Sequence, residues 1–167
     1  MLRAIVETSN QKNDAQARSN LTAVHVNHHT RGEQSNQDAE FVRQLATDLD
    51  IGFRLVEPSA DLLAPNDMSE QSLRNFRYQG LVAIANKLGA RYLVTGHQQN
   101  DQVETVLFRI FRGTGIAGLS GIPQRRVVDE TLTIVRPMLA VSREAIEDYL
   151  CTIQQSYRTD ISNSNCD

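Results

Sequence analysis

Along the chain, apolar positions gather in short clusters whose internal spacing switches between two periods. Residues 21–27, LTAVHVN, are β-rich and mostly apolar, as in a strand covered on both faces and so in a parallel sheet. From Ser35 the spacing changes. Ala39, Val42, Leu45, Ala46 and Leu49 step by three and four residues, which predicts a helix with a capping box of Ser35 and Asp38 that closes near 50–52. A short strand is expected at 53–56, then a polar loop with Pro58 and Pro65. The next helix uses Leu73, Phe76, Leu81, Ile84, Ala85 and Leu88 and stops at Gly89. RYLVT, 91–95, reads as a third strand, and directly behind it Val103, Val106, Leu107, Ile110 and Phe111 form one helical stripe. Gly113, Gly115, Gly118, Gly121 and Pro123 mark a turn-rich loop. Residues 125–128 and 131–137 are placed as a hairpin around Asp129 and Glu130. Ser142 then caps a last amphipathic helix carrying Ala145, Ile146, Tyr149, Leu150 and Ile153.

Strands alternating with helices predict an α/β fold with a doubly wound, mainly parallel sheet, in which ligands gather at the carboxyl ends of the strands. That rule puts His25, Asn27, His28 and His29 at one strand end, on the same rim as Gly96, His97 and Asp101 at another, so that the two sets would share a pocket. Composition narrows the class. The chain has 167 residues, 40% of them apolar, and a net charge of -3, which fits one soluble domain and not a disordered chain. No run approaches the roughly eighteen apolar residues of a membrane span. The start, MLRAIVETSNQ, lacks the order of a secretory signal, so a cytoplasmic protein is expected. Cys151 and Cys166 form no CxxC pair and have no close histidine, so they read as free thiols, Cys151 as a small buried apolar group. The HxxHH cluster at 25–29 lacks a fourth ligand in range and is not read as a metal site. Mild acidity argues against non-specific nucleic-acid binding, although local arginines can still read phosphate.

The densest candidate chemistry lies in TGHQQNDQVETVLFRIFRGTG, 95–115. Asp101 and Glu104 crowd the first turn of a helix, where peptide dipoles stabilise anions. Acids there cap helices routinely, but at a strand-to-helix rim they can also hold a magnesium ion that bridges nucleotide phosphates. Asp101 and Arg112 lie about three turns apart and share the face opposite the apolar stripe. Arg109 and Arg112 sit where the helix dipole favours cations. His25 can also be read as a satisfied strand histidine, Arg74 and Arg77 as solvating a helix face, and Ser142 and Glu144 as a cap and a first-turn acid.

TGHQQNDQVETVLFRIFRGTGIAGLSGIP resembles the signature TGHhxDDQxETxLxRLxRGsGxxGLxGM of the tRNA(Ile)-lysidine synthetases, members of the PP-loop, or N-type ATP pyrophosphatase, superfamily. HVNHHTRGEQSNQDAEFVRQL at 25–45, LRNFRYQGL at 73–81, IVRPMLAVSREAIEDYL at 134–150 and DISN at 160–163 resemble further family segments in family order. The resemblance implies an adenine nucleotide alpha hydrolase-like fold and a ligase that uses ATP and Mg²⁺ to modify the wobble cytidine of an isoleucine tRNA. ATP adenylates the cytosine carbonyl, pyrophosphate leaves, and the ε-amino group of free lysine displaces AMP. It further implies that His25, Asn27, Gly96 and Arg112 serve ATP and that Asp101, Glu104 and His97 are catalytic, with Asp101 a magnesium ligand. Arg74, Arg77 and Arg109 would meet the tRNA, and Asp160 and Asn163 would order a closing loop.

The sequence departs from that pattern in places. The family's S-G-G-x-D-S loop, whose backbone amides cradle pyrophosphate, does not occur, and Gln98 and Asn100 stand where the family has a histidine and an aspartate. The expectation is a single PP-loop domain over 1–167, cut at both ends and lacking its first strand. Two alternatives stand beside the synthetase: a non-catalytic nucleotide- or RNA-binding remnant, and ATP-dependent tRNA thiolation, which generally uses paired cysteines. A missing central strand would leave buried backbone groups unpaired at about 1–3 kcal/mol each, against a total stability of roughly 5–15 kcal/mol. The chain alone is therefore expected to aggregate or fold poorly. A sharp, cooperative melt of the purified 167-residue protein would contradict that.

Overall fold

Helices and strands occur in each of two compact units, Met1–Leu93 and Val94–Asp167. The computed structural model describes residues 1–11, 19–27, 32–57, 70–115 and 119–158. Pro58, Pro65, His28, His29, Gly118, Asp160, Asn163 and Cys166 lie outside them.

The first unit holds α1 (Leu2–Gln11), β1 (Thr22–Val26), α2 (Glu33–Asp48), β2 (Gly52–Val56) and α3 (Glu70–Lys87). β1 and β2 run parallel, in register from Thr22 opposite Gly52 to Val26 opposite Val56. The ladder is extended at its two ends, where the Gly52 N–H donates to Leu21 O at 3.1 Å and the Asn27 N–H to Val56 O at 2.9 Å. A parallel pair needs a crossover, and α2 supplies it, packing on both strands. Its buried positions, Ala39, Ala46 and the capping Leu49, come from the predicted stripe, and small side chains let the helix lie close to the strands. The start of α2 differs from expectation. The helix opens at Glu33 after Gly32, whose φ of 52° suits glycine, and the N-cap makes no side-chain cap bond, so Ser35 sits inside the first turn. After α2, Asp50 takes a left-handed φ of 53°, a conformation that aspartate tolerates, and the chain reverses into β2. α3 buries Phe76 and Ala85, but Leu88, past its last turn and before the left-handed Gly89, is exposed.

The second unit holds α4 (Gln99–Phe111), β4 (Arg125–Val127), β5 (Thr133–Val135) and α5 (Arg143–Thr152). β3 (Tyr92–Val94), whose last residue opens this unit, belongs to a sheet of order β3–β5–β4. β4 and β5 form the expected hairpin, antiparallel, with Arg126 opposite Ile134. Asp129 shapes its tip, since Oδ1 accepts from the Thr131 N–H and hydroxyl, both at 2.8 Å, and from the Leu132 N–H at 2.9 Å. Leu132 and Ile134, 0% and 1% exposed, are the core of this hairpin. Ser142 caps α5 by accepting from the Ala145 N–H at 3.2 Å, and Glu144 is held below the usual carboxylate range by hydrogen bonds to its own backbone and to Ser142. The fold is α/β as expected. The described strands, however, form one parallel pair and one sheet containing an antiparallel hairpin, not a single continuous sheet.

Gly80 on α3 faces β2 so closely that a Cβ there would lie 2.7 Å from Val56 Cγ1. Alanine gains about 1 kcal/mol of helix propensity but overpacks a stiff β-branched neighbour at about 1–3 kcal/mol. Gly80→Ala is expected to lower the denaturation midpoint. In a double-mutant cycle, Gly80→Ala with Val56→Ala should prove more stable than the two single losses summed, by about 1 kcal/mol.

Candidate functional site

Past β3 the chain stays extended through Thr95, Gly96 and His97 before turning into α4 at Gln98, whose φ is -121°. The Thr95 hydroxyl lies 2.8 Å from His97 Nδ1 and fixes the imidazole. Gly96 has no atom within 4 Å of where a Cβ would stand, so its packing within the chain does not demand glycine, and its backbone is open to close approach. α4 opens with a reciprocal capping box. The Gln98 N–H donates to Asp101 Oδ2 at 2.7 Å, and the Gln98 side chain accepts from the Asp101 N–H. Gln98, a departure from the family pattern, thus acts as the cap. The Gln99 N–H donates to Val141 O at 3.0 Å and ties the helix start to the segment after β5. Asn100 and Glu104 are exposed on the first turn.

The rotation of α4 is the main surprise. Gln102, Thr105, Val106 and Arg109 turn inward, and all but Val106 are polar. Gln102 grips a single residue of the following loop, donating from Nε2 to Ile122 O at 2.9 Å and accepting the Ile122 N–H at Oε1 at 2.5 Å. Arg109 Nη1 donates to Gly121 O at 3.1 Å. Gly121 is left-handed, with a φ of 64°, and a Cβ there would stand 2.5 Å from Gln102 Oε1. The buried Arg136, just after β5, extends the grip, donating from Nη1 to Pro123 O at 2.8 Å and from its N–H to Gln124 O at 2.9 Å. The predicted apolar stripe faces outward instead. Val103, Leu107 and Ile110 are exposed and Phe111 is 85% exposed, leaving only Val106 half-buried.

The other expected site residues fall as follows. In the first unit, Asn27 is buried, with Nδ2 donating to Asn36 Oδ1 at 3.0 Å. His25 is half-buried, and burial pushes its pKa below the ordinary 6.5 against a smaller opposite pull from Asp38, which leaves it neutral at pH 7. Arg74 and Arg77 are exposed on α3, with Arg74 over the Tyr78 ring at 5.7 Å. In the second unit, Arg112 ends α4 and stacks over Phe108 at 4.0 Å. Arg109, expected at the tRNA, is engaged by the loop. Cys151 is exposed on α5, against the expectation of a buried thiol, because α5 buries none of its residues fully. Sequence reasoning missed Gln102 and Arg136. The signals available were a third glutamine within GHQQNDQ and an arginine inside the apolar IVRP.

No group of three His, Cys, Asp or Glu side chains among the described residues could hold a metal ion. Asp101, with Oδ2 engaged by the Gln98 N–H, fits only as one ligand to a magnesium ion that a nucleotide's phosphates would also coordinate. No helix of the described residues is long and apolar enough to cross a membrane.

The first unit's parallel strand–helix–strand crossover, and in the second an open glycine just past a strand and before a capped helix, are elements of an α/β fold. The chain belongs to the PP-loop domain family, whose model matches residues 2–167. Among its relatives is the tRNA(Ile)-lysidine synthase of Bacteroides thetaiotaomicron, 40% identical over 143 residues, which are 84% of this chain and 32% of that protein. The tRNA(Ile)-lysidine synthase of Symbiobacterium thermophilum is 40% identical over 147 residues, 87% of this chain and 30% of that one. That of Rhodopirellula baltica is 37% identical over 146 residues, 86% and 37%. The chain thus spans about a third of the length of these relatives. In structure it is similar to the U34-tRNA thiolase NcsA from Methanococcus maripaludis with its [4Fe-4S] cluster, at a TM-score of 0.70 and 15% identity, over 93% of this chain and 55% of that one. At that identity the likeness is one of fold.

Gln102→Ala removes both partners of Ile122 on α4. It is expected to cost about 1–3 kcal/mol and to speed hydrogen exchange at the Ile122 amide, while the Gln99 amide, bonded to Val141, stays protected. Amide exchange followed by NMR checks this residue by residue.

Proposed function

We propose that this chain is part of a tRNA(Ile)-lysidine synthetase that acts in the cytoplasm on an isoleucine tRNA, ATP and free lysine. The observation that carries the reading is the identity of up to 40% to proteins of that name across 84–87% of this chain. The reaction has two displacements. The carbonyl oxygen of the wobble cytosine attacks the α-phosphorus of ATP and releases pyrophosphate, and then the lysine ε-amino group attacks the activated carbon and releases AMP.

The local geometry supports distinct roles. Gly96 lets phosphate oxygens approach the backbone, where a side chain would block them. His97, held through Nδ1 by Thr95, is oriented before substrate arrives, which lowers the ordering cost of catalysis. Asp101 is fixed by the Gln98 amide, so its carboxylate is aimed without further loss of rotamer freedom. It would share magnesium with the nucleotide, whose ion would withdraw charge from the phosphates. Glu104, exposed on the same first turn, is the second carboxylate for the reacting base. Asn100 carries no charge, so Asp101 and Glu104 are the carboxylates this first turn offers. His25 and Asn27 serve the adenosine, with His25 neutral and so able to accept as well as donate a hydrogen bond. Arg74 and Arg77, exposed on α3, suit tRNA phosphates, and Arg112 suits those of ATP. Arg109, expected at the tRNA, also steadies the loop after α4 through its bond to Gly121 O.

The test is AMP release from radiolabelled ATP in the presence of isoleucine tRNA, with and without lysine. Release should require both tRNA and lysine. Asp101→Asn should slow it by about a hundredfold or more while leaving tRNA affinity unchanged. AMP release independent of lysine would exclude the synthetase, and an unchanged rate in the variant would remove Asp101 from the chemistry.

A further inference from the structure

The β4–β5 hairpin carries two guanidiniums with no assigned work. All three residues of β4, Arg125, Arg126 and Val127, are exposed, and β4 is an edge of its sheet among the described residues. Neither Arg125 nor Arg126 makes a side-chain hydrogen bond, ion pair or ring contact among those residues. Consecutive strand residues point to opposite faces, so the two side chains straddle the edge, with Arg126 on the face of Ile134 and Arg125 on the face of Val135. The platform beneath them is fixed. Asp129 closes the tip with three hydrogen bonds, Leu132 and Ile134 are buried, and Arg136 ties the base to Pro123 and Gln124. Asp129 is engaged in the turn, which leaves Glu130 as the other carboxylate of the tip. Val127, 72% exposed beside the arginines, adds apolar surface.

We infer that the outer edge of β4 is a contact for the sugar–phosphate backbone of RNA, with Arg125 and Arg126 each taking a phosphate. This deepens the proposed function and rests on its choice of a tRNA substrate. A planar guanidinium matches phosphate bidentately, and two copies suit a polyanion, since among the described residues no carboxylate pairs with either arginine. A rigid hairpin loses little backbone entropy on binding. Edge-strand arginines also discourage strand-to-strand association, and that duller role makes a different prediction.

The experiment measures binding of a fluorescent RNA stem-loop to the full chain across a salt series, with ATP binding followed in parallel. The Arg125→Ala/Arg126→Ala variant, with an unchanged circular dichroism spectrum, should bind RNA about tenfold more weakly at fixed salt, and its salt slope should fall by about two. Arg125→Lys/Arg126→Lys should restore the slope, and ATP affinity should not move. RNA affinity and slope unchanged in the alanine variant overturn the inference. So does a variant that self-associates while its soluble fraction binds RNA normally, since the arginines would then only guard the edge. An arginine-dependent RNA affinity in a chain that shows no lysine-dependent AMP release would condemn the proposed reaction and keep the edge. Lysine-dependent release that survives in the alanine variant with unaltered RNA binding would do the reverse.

Discussion

The second unit turns on one side chain. Gln102 meets both backbone groups of Ile122, as a neighbouring strand would, with its carbonyl taking the N–H and its amide giving to the carbonyl oxygen. That double contact sets the rotation of α4 about its axis, and Arg109 repeats the hold two turns on at Gly121. Gly121 fits because its left-handed backbone and the space taken by the Gln102 oxygen both rule out a side chain. The glycine, the glutamine and the helix rotation are therefore one constraint.

Its energetic logic is unusual for a helix. Burial of apolar area normally decides which face turns inward, at roughly 25 cal/mol per Å². Here the inward face is largely polar, since the loop backbone it meets would otherwise leave donors and acceptors unsatisfied at about 1–3 kcal/mol each. Three side chains, Gln102, Arg109 and Arg136, together satisfy Gly121, Ile122 and Pro123. The apolar stripe from Val103 to Phe111 consequently looks outward.

The same rotation has a functional side. With α4 held along its length by the loop and at its start by Val141, the capping box at Gln98 and Asp101 stands on a fixed base. Asp101, His97 and the open Gly96 lie within a few residues of that cap. The first unit is built by another rule, that of small residues. Ala23, Ala39 and Ala46 are buried and Gly80 lies against Val56, which lets helices approach the β1–β2 pair closely, and on the same pair burial pushes the His25 pKa below its ordinary value.

Local chemistry was legible residue by residue. Runs such as LTAVHVN, the glycine stop at 89, the Ser142 cap and the hairpin about Asp129 were readable because propensity, capping and turn geometry act within a few residues of themselves. Family membership was legible as well, in TGHQQNDQVET and the segments in order around it. Other features were decided only by contacts distant in sequence. The stripe of α4 was visible but its direction was not, because the loop that Gln102 grips comes some five turns' worth of chain later. The start of α2 moved to Gly32, where a backbone angle outweighed a serine, and Cys151 proved exposed where its neighbours' pattern suggested shelter. Sequence determines the elements because their causes are local, whereas the faces they turn to one another depend on which distant polar groups must be satisfied.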